Sequence, residues 1–163
     1  MTSTDDTIAA GRTVDAPVDT VFAILADPAT HQAIDGTGWV REPLNSARIT
    51  GVDQIFRMAM YFDNPEEDHN HYEVANRVTV FDPPRAIAWQ PGQGADDGEL
   101  EFGGWFWRYD LEQLDDDRTT VRLTYDWSAA PQPIRDKISF PPFEMSHLDN
   151  SLRHLAELAE ARR

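Results

Sequence analysis

A chain of 163 residues with 40% apolar and 26% charged side chains is long enough to bury one sizeable core and has the balance of a globular protein. Its 14 basic against 29 acidic side chains give a net charge of −15, which repels phosphate backbones and anionic lipid heads and excludes nucleic acid as a partner. Cysteine is absent, which removes disulfides and thiolate chemistry and fits a reducing, cytoplasmic compartment.

No run approaches the roughly 20 apolar residues of a membrane span, so stable membrane insertion is not expected. The first residues, Met1 to Asp6, are polar and acidic and show no secretion signal. The acids gather at 63–68, 96–101 and 115–117, where solvated loops or strand ends are expected.

In chain order, Ile8, Ala10, Arg12 and Val14 alternate with Ala9, Gly11, Thr13 and Asp15, a strand pattern. Pro17 then fits the first turn of a short helix whose apolar face is Val18, Val21, Phe22 and Leu25. Asp27-Pro28 interrupts it, and one further turn over Ala29 to Ile34 is expected before Gly36 and Gly38. From Trp39 the period becomes two. Phe56, Met58, Met60 and Phe62 share one strand face, and Tyr72, Val74, Asn76, Val78 and Val80 share the next, closed at Asp82-Pro83-Pro84. A short strand carries Ile87 and Trp89 and ends at Pro91-Gly92, with a flexible loop over 92–98. Trp105, Trp107, Tyr109 and Leu111 line one face of a strand that turns at Asp115 to Asp117. Val121, Leu123, Tyr125 and Trp127 answer on the other arm of this antiparallel hairpin.

The chain closes with an amphipathic helix. Met145, Leu148, Leu152, Leu155 and Ala159 form its stripe, Ser139 with Pro141 and Pro142 supplies a start signal, and about 20 residues are expected. Such a stripe is buried best across the face of a sheet, so function is sought between the two. No repeat, linker or domain boundary appears, and 1–163 reads as a single α+β domain.

This order resembles the helix-grip fold of the START/Bet v 1-like (SRPBCC) superfamily, which includes polyketide cyclase/dehydrase and lipid-transport proteins. The resemblance is carried by Arg12 to Phe22, by Asn76 to Trp89 with its double proline, by Trp105 to Glu112 and by Thr120 to Trp127. The segment His31 to Gly38 is similar to a loop of actinobacterial members. The resemblance implies a curved seven-stranded antiparallel sheet wrapped around the C-terminal helix, an apolar cavity between them, and two short helices closing one end. It implies no reaction, because one fold hosts many functions.

The periodicity supplies the lining. Met58, Met60, Asn76, Trp89, Trp107, Tyr109, Tyr125 and Trp127 come from the sheet, and Phe143, Met145, His147, Leu148 and Leu152 from the helix. Aromatic and methionine walls with few polar groups suit a small-molecule pocket, although the same residues also suit a filled core. His31 and Asp35, four apart, would share a helical face as a base pair at the cavity mouth; otherwise Asp35 caps the glycine turn and His31 faces water. Tyr109 and Tyr125 would face one another across the hairpin and offer hydroxyls to a carbonyl or enolate oxygen, or else serve structure alone. Asn76 is polar at an apolar position and, if buried, needs a partner. His147, with His154 two turns on, flanks the stripe as a boundary residue. His69 and His71 near Glu66, Glu67 and Asp68 fit an acidic loop better than a metal site.

Phosphate loops, nucleophile elbows and metalloprotease signatures are absent, and no cofactor or metal is expected. The expected activity is binding of a small apolar or aromatic ligand: a lipid, polyketide or isoprenoid-like compound. The alternatives are a polyketide aromatase/cyclase or dehydratase in the same cavity, and a protein-interaction module without ligand. An exposed edge strand would allow a homodimer.

Overall fold

The computed structural model describes residues 6–35, 40–44, 48–61, 71–94, 100–136 and 146–162, with the backbone alone at 71, 93, 100 and 101. Strand β1 (Thr7–Val14) leads into helix α1 (Val18–Leu25), a 3-10 turn (Pro28–Thr30) and α2 (His31–Ile34). Strands β2 (Val40–Pro43), β3 (Ile55–Tyr61), β4 (His71–Asp82), β5 (Ala86–Gly94), β6 (Leu100–Phe102), β7 (Phe106–Asp115) and β8 (Arg118–Asp126) follow, then α3 (Gln132–Arg135) and α4 (Ser146–Arg162).

Seven strands form one antiparallel path in the order β1-β8-β7-β5-β4-β3-β2, the curved seven-stranded sheet that the resemblance implies, and β6 joins it beside β5 as an eighth strand. β6 was not legible as a strand. It pairs with Gly92–Gly94 of β5, while β7 pairs with Ala86–Trp89 on the same side of β5. β5 therefore runs straight through Pro91 and Gly92 rather than ending there. Pro91 sits where β5 passes from one partner strand to the other, a break in the ladder that tolerates a missing N–H. The double-proline turn between β4 and β5 holds a cis Pro83–Pro84 bond.

The predicted start of α4 at Ser139 to Pro142 lies outside the described residues; from Ser146 the helix runs 17 residues. Its stripe is buried: Leu148, Leu152, Leu155, Ala156 and Ala159 all pack in the core with Met58, Val78, Ile87, Val121 and Leu123 of the sheet. α1 adds Val18, Val21, Phe22, Ile24 and Leu25 to the same core. Two bonds lock this end: Thr119 Oγ1 donates to the Ala16 carbonyl (2.8 Å), and the Asp15 amide donates to Glu160 near the end of α4 (3.1 Å). The outer face of the sheet is polar, with Arg57 on Glu73 (3.1 Å) and Arg108 on Asp110 (3.0 Å).

Past β8 the chain is held by Arg135. Its guanidinium pairs with Asp6 (3.0 Å) and donates to the carbonyls of Ala130 (2.8 Å) and Trp127 (2.9 Å), fixing the end of β8 and the start of β1 to α3. Gly104, between β6 and β7, faces this same segment. Its φ is +94°, and a Cβ there would stand 2.5 Å from the Ala129 carbonyl oxygen.

Gly104→Ala is therefore expected to destabilise the protein by about 1–3 kcal/mol, from left-handed strain and backbone overlap together. Gly51→Ala, where an added Cβ meets nothing within 4 Å, serves as the control and is expected to be neutral or slightly stabilising. Urea denaturation of both variants measures the difference.

Candidate functional site

The site begins with how α1 ends. No glycine caps this helix, so its last carbonyls need other donors. Ala23 receives Arg48 Nη2 (3.2 Å), Ile24 receives Thr30 Oγ1 (2.6 Å), and Leu25 receives the His31 ring at Nε2 (2.9 Å). Asp27 caps the 3-10 turn by accepting from the Ala29 amide (3.0 Å), which aims His31 inward. His31 is 6% exposed and does not face water. Since a carbonyl only accepts, Nε2 carries the hydrogen, and Nδ1 of the neutral ring is left as an acceptor.

The His31 ring stacks on Trp89 (5.0 Å between centroids) and meets Phe56 edge-on (5.3 Å). Trp89 in turn touches Phe56 (5.6 Å) and Tyr109 (5.9 Å). Burial lowers the imidazole pKa below its usual value, while the Leu25 hydrogen bond and the Asp27 charge oppose the shift. The residue is a neutral member of an aromatic cluster.

The predicted His31–Asp35 pair does not form. Asp35 is the C-cap of α2, its carboxylate accepts from the Val40 amide (3.2 Å), and its carbonyl is 3.1 Å from His154 Nδ1 on α4. Burial raises the pKa of Tyr109 of β7 and Tyr72 of β4 and lowers that of His147 of α4; the Asp35 charge adds to the first two shifts and opposes the third.

Tyr109 and Tyr125 share the concave face but are not opposite each other. Tyr109 pairs with Leu123, and Tyr125 pairs with Trp107, their rings 4.5 Å apart. Both hydroxyls are pushed well above the usual tyrosine pKa by burial, with the Asp35 charge adding to the effect at Tyr109, so both stay protonated. Trp127 continues the row beyond β8, 5.6 Å from Tyr125. His147 is buried rather than a boundary residue, and meets Trp107 edge-on at 5.3 Å. Its pKa is lowered by burial, against the Asp35 charge and with the His154 neighbour.

Met58, Met60 and Asn76 also sit as predicted on the inward face. Asn76, 4% exposed, lies between Phe56 on β3 and Pro91 on β5 in the register. Leu148 and Leu152 are buried on α4, whereas Phe143 and Met145 lie outside the described residues, as do His69 and the His71 side chain. Among the described residues no group of three or more His, Asp or Glu could hold a metal ion. The sequence reading missed Phe56 and Tyr72 as site residues; their alternation with Met58 and Asn76 was the available signal. A shallow acidic depression of about 430 Å³ at Asp15, Asp115, Asp116, Asp117 and Arg118 lies apart from this interior.

His31 and His147 are both held below the usual imidazole pKa of 6.5 by burial, so the unfolded chain binds protons that the folded one refuses. Their contribution to stability is expected to be full above about pH 6.5 and to be lost as the pH falls below it, by up to about 1.4 kcal/mol per unit for each ring. His31→Phe, which keeps the stacking, is expected to lower stability at pH 7.5 and to flatten the decline toward pH 5; thermal melts across that range measure both.

No family model matches the chain. The uncharacterized protein Rv0088 of Mycobacterium tuberculosis (strain ATCC 25618 / H37Rv) is 31% identical over 118 residues, 72% of this chain and 46% of that protein. The chain thus spans about half the length of the curated relatives it matches. Among solved structures, protein NE0264 of Nitrosomonas europaea superposes with a TM-score of 0.69 at 13% identity, covering 98% of this chain and 97% of that one. The Zhui aromatase/cyclase of Streptomyces sp. R1128 gives 0.64 at 18% identity, covering 96% and 94%. Norcoclaurine synthase of Thalictrum flavum, in complex with dopamine and hydroxybenzaldehyde, gives 0.62 at 15% identity, covering 96% and 87%. With its strand order, its paired short helices and its buried C-terminal helix, the chain has the helix-grip fold that these solved structures share.

Proposed function

We propose that the protein binds a small apolar or aromatic molecule, of lipid, polyketide or isoprenoid character, between the concave face of its sheet and α4. The supporting observation is a gradient of burial along that face. At one end Val14, Val78, Ile87, Val121 and Leu155 are fully buried and leave no room. At the other, inward-facing Met60 and Trp107 are only partly buried and Tyr72 is 38% exposed. Large apolar side chains on a concave wall that stay partly open are what a ligand covers. The solved relative that holds dopamine and hydroxybenzaldehyde supports the same reading for the fold.

The absence of cysteine in the sequence supports a reducing, cytoplasmic setting. No helix among the described residues is long and apolar enough to cross a membrane.

Native mass spectrometry of freshly purified protein, with extraction of what is bound, tests the reading. One discrete apolar adduct is expected. Trp107→Ala should then weaken binding of that ligand by roughly 10- to 100-fold, the effect of removing about 1.5–3 kcal/mol of buried aromatic contact. An apo mass that persists through a fatty acid and polyketide panel would sink the reading.

A second reading, turnover in the same cavity by an aromatase/cyclase or dehydratase, is favoured by one observation. Tyr109 is buried and held protonated, so its hydroxyl remains a donor suited to a carbonyl oxygen gaining charge. Should turnover be detected, Tyr109→Phe is expected to lower kcat by about 100-fold with less than about 3-fold change in Kd. Equal losses in both would mark Tyr109 as a binding group only.

A further inference from the structure

The polar groups of the aromatic interior are the next question, and the answer rests on the binding reading above. Along the inward face of β4 the side chains run from Tyr72, 38% exposed, through Val74 to Asn76 at 4%, and then to the sealed Val78. Asn76 thus stands where the open half of the wall ends. In the register it lies opposite Phe56 of β3 and Pro91 of β5, neither of which has a polar side-chain atom. Among the described residues nothing hydrogen-bonds its carboxamide, and its polar atoms are not among those wholly sealed from solvent. Three neighbours share this condition. His31 keeps Nδ1 as an acceptor, and the Tyr109 hydroxyl and the Trp89 ring N–H likewise have no hydrogen-bond partner among the described residues. Trp89 gathers them, with the ring of His31 at 5.0 Å, that of Tyr109 at 5.9 Å and that of Phe56, across from Asn76, at 5.6 Å. All four polar side chains are at least nine-tenths buried. Buried polar groups are almost always paired, and each one left over costs stability, so four around one indole point to a guest that supplies the partners.

We propose that this cluster is the polar end of the ligand site and that Asn76 selects for an uncharged oxygen, a carbonyl or a hydroxyl, at the buried end of the bound molecule. The groups on offer are donors from Asn76, Tyr109 and Trp89 and acceptors from Asn76 and the neutral His31, and none carries a charge. A ketone or a phenol finds partners there, whereas a hydrocarbon end leaves all four unpaired. The molecule enters oxygen first, with its apolar body left against Met60 and Trp107 at the open end.

The test compares 2-acetylnaphthalene with 2-isopropenylnaphthalene, twins in shape that differ by an oxygen against a methylene, in equilibrium dialysis at neutral pH. Wild-type protein is expected to bind the ketone at least about tenfold more tightly, and Asn76→Leu to shrink that ratio by about tenfold. Because the carboxamide lacks a partner in the unliganded protein, Asn76→Leu is also expected to melt at the same temperature or up to about 4 °C higher. If leucine does not fit, Asn76→Val, matching Val74 and Val78 on the same face, serves the same purpose. A melting temperature lowered by about 4 °C or more in both variants would mark the carboxamide as structural and overturn the assignment. A ketone preference that both variants keep would overturn it as well. Equal wild-type affinity for the twins, the result if water alone serves these groups, would overturn it while leaving the binding reading standing. Binding of neither, with no adduct in the native mass spectrum, would overturn both.

Discussion

The structure depends on burying the apolar stripe of α4. A 17-residue helix is marginal in water by itself, so its stability has to come from Leu148, Leu152, Leu155, Ala156 and Ala159 packing on the sheet. Each large side chain buried there contributes about 1.5–3 kcal/mol at most. The sheet curves because it covers a cylinder, and α1 and α2 fill what it leaves open. Two polar ties set the position of the helix: Glu160 on the Asp15 amide, and His154 on the Asp35 carbonyl. The second has a consequence for function, since whatever fixes α4 against α2 also fixes Asp35 and His31 over the sheet.

His31 shows how one local need shapes the interior. A phenylalanine would pack equally well between Phe56 and Trp89, but it would leave the Leu25 carbonyl at the end of α1 without a donor. Imidazole serves both purposes, provided it stays neutral, and its burial keeps it so. The same logic places Thr30 on Ile24 and Arg48 on Ala23, so the helix end is capped by side chains that follow within 25 residues in the chain rather than by a glycine turn.

Much of this was legible in the sequence, and the boundary is physical. Val18, Val21, Phe22 and Leu25 repeat every turn, Trp107, Tyr109 and Leu111 every second residue, and such periods report burial directly. What failed were statements about partners. His31 looked solvent-facing because its neighbours are on strands far along the chain, beyond any local window. Tyr109 and Tyr125 share a face, as alternation requires, but the Asp115–Asp117 turn sets the register that puts Trp107 opposite Tyr125. Pro91 reads as a stop in any sequence rule, and only the exchange of β7 for β6 along β5 explains its tolerance. Parity found the residues on the concave face of the sheet; the bonds of Asp35 to Val40 and His154 had no periodic signature at all.

The burial gradient along the concave face also separates stability from recognition. The sealed end, with Val14, Val78, Ile87, Val121 and Leu155, carries the close packing that a cooperative fold needs. At the open end Met60, Tyr72 and Trp107 are incompletely covered and therefore contribute less to folding. Substitutions there cost less stability, so that wall can change while the sheet and helix keep their arrangement. This accounts physically for a shared architecture among proteins whose sequences have diverged widely, since the packing that specifies the fold and the surfaces that specify the ligand are largely different residues. His31 is an exception, because it is bonded to the Leu25 carbonyl and also packed against Phe56 and Trp89 in the interior. Changing it alters the aromatic cluster and the α1–α2 junction together, which confines what that position can become.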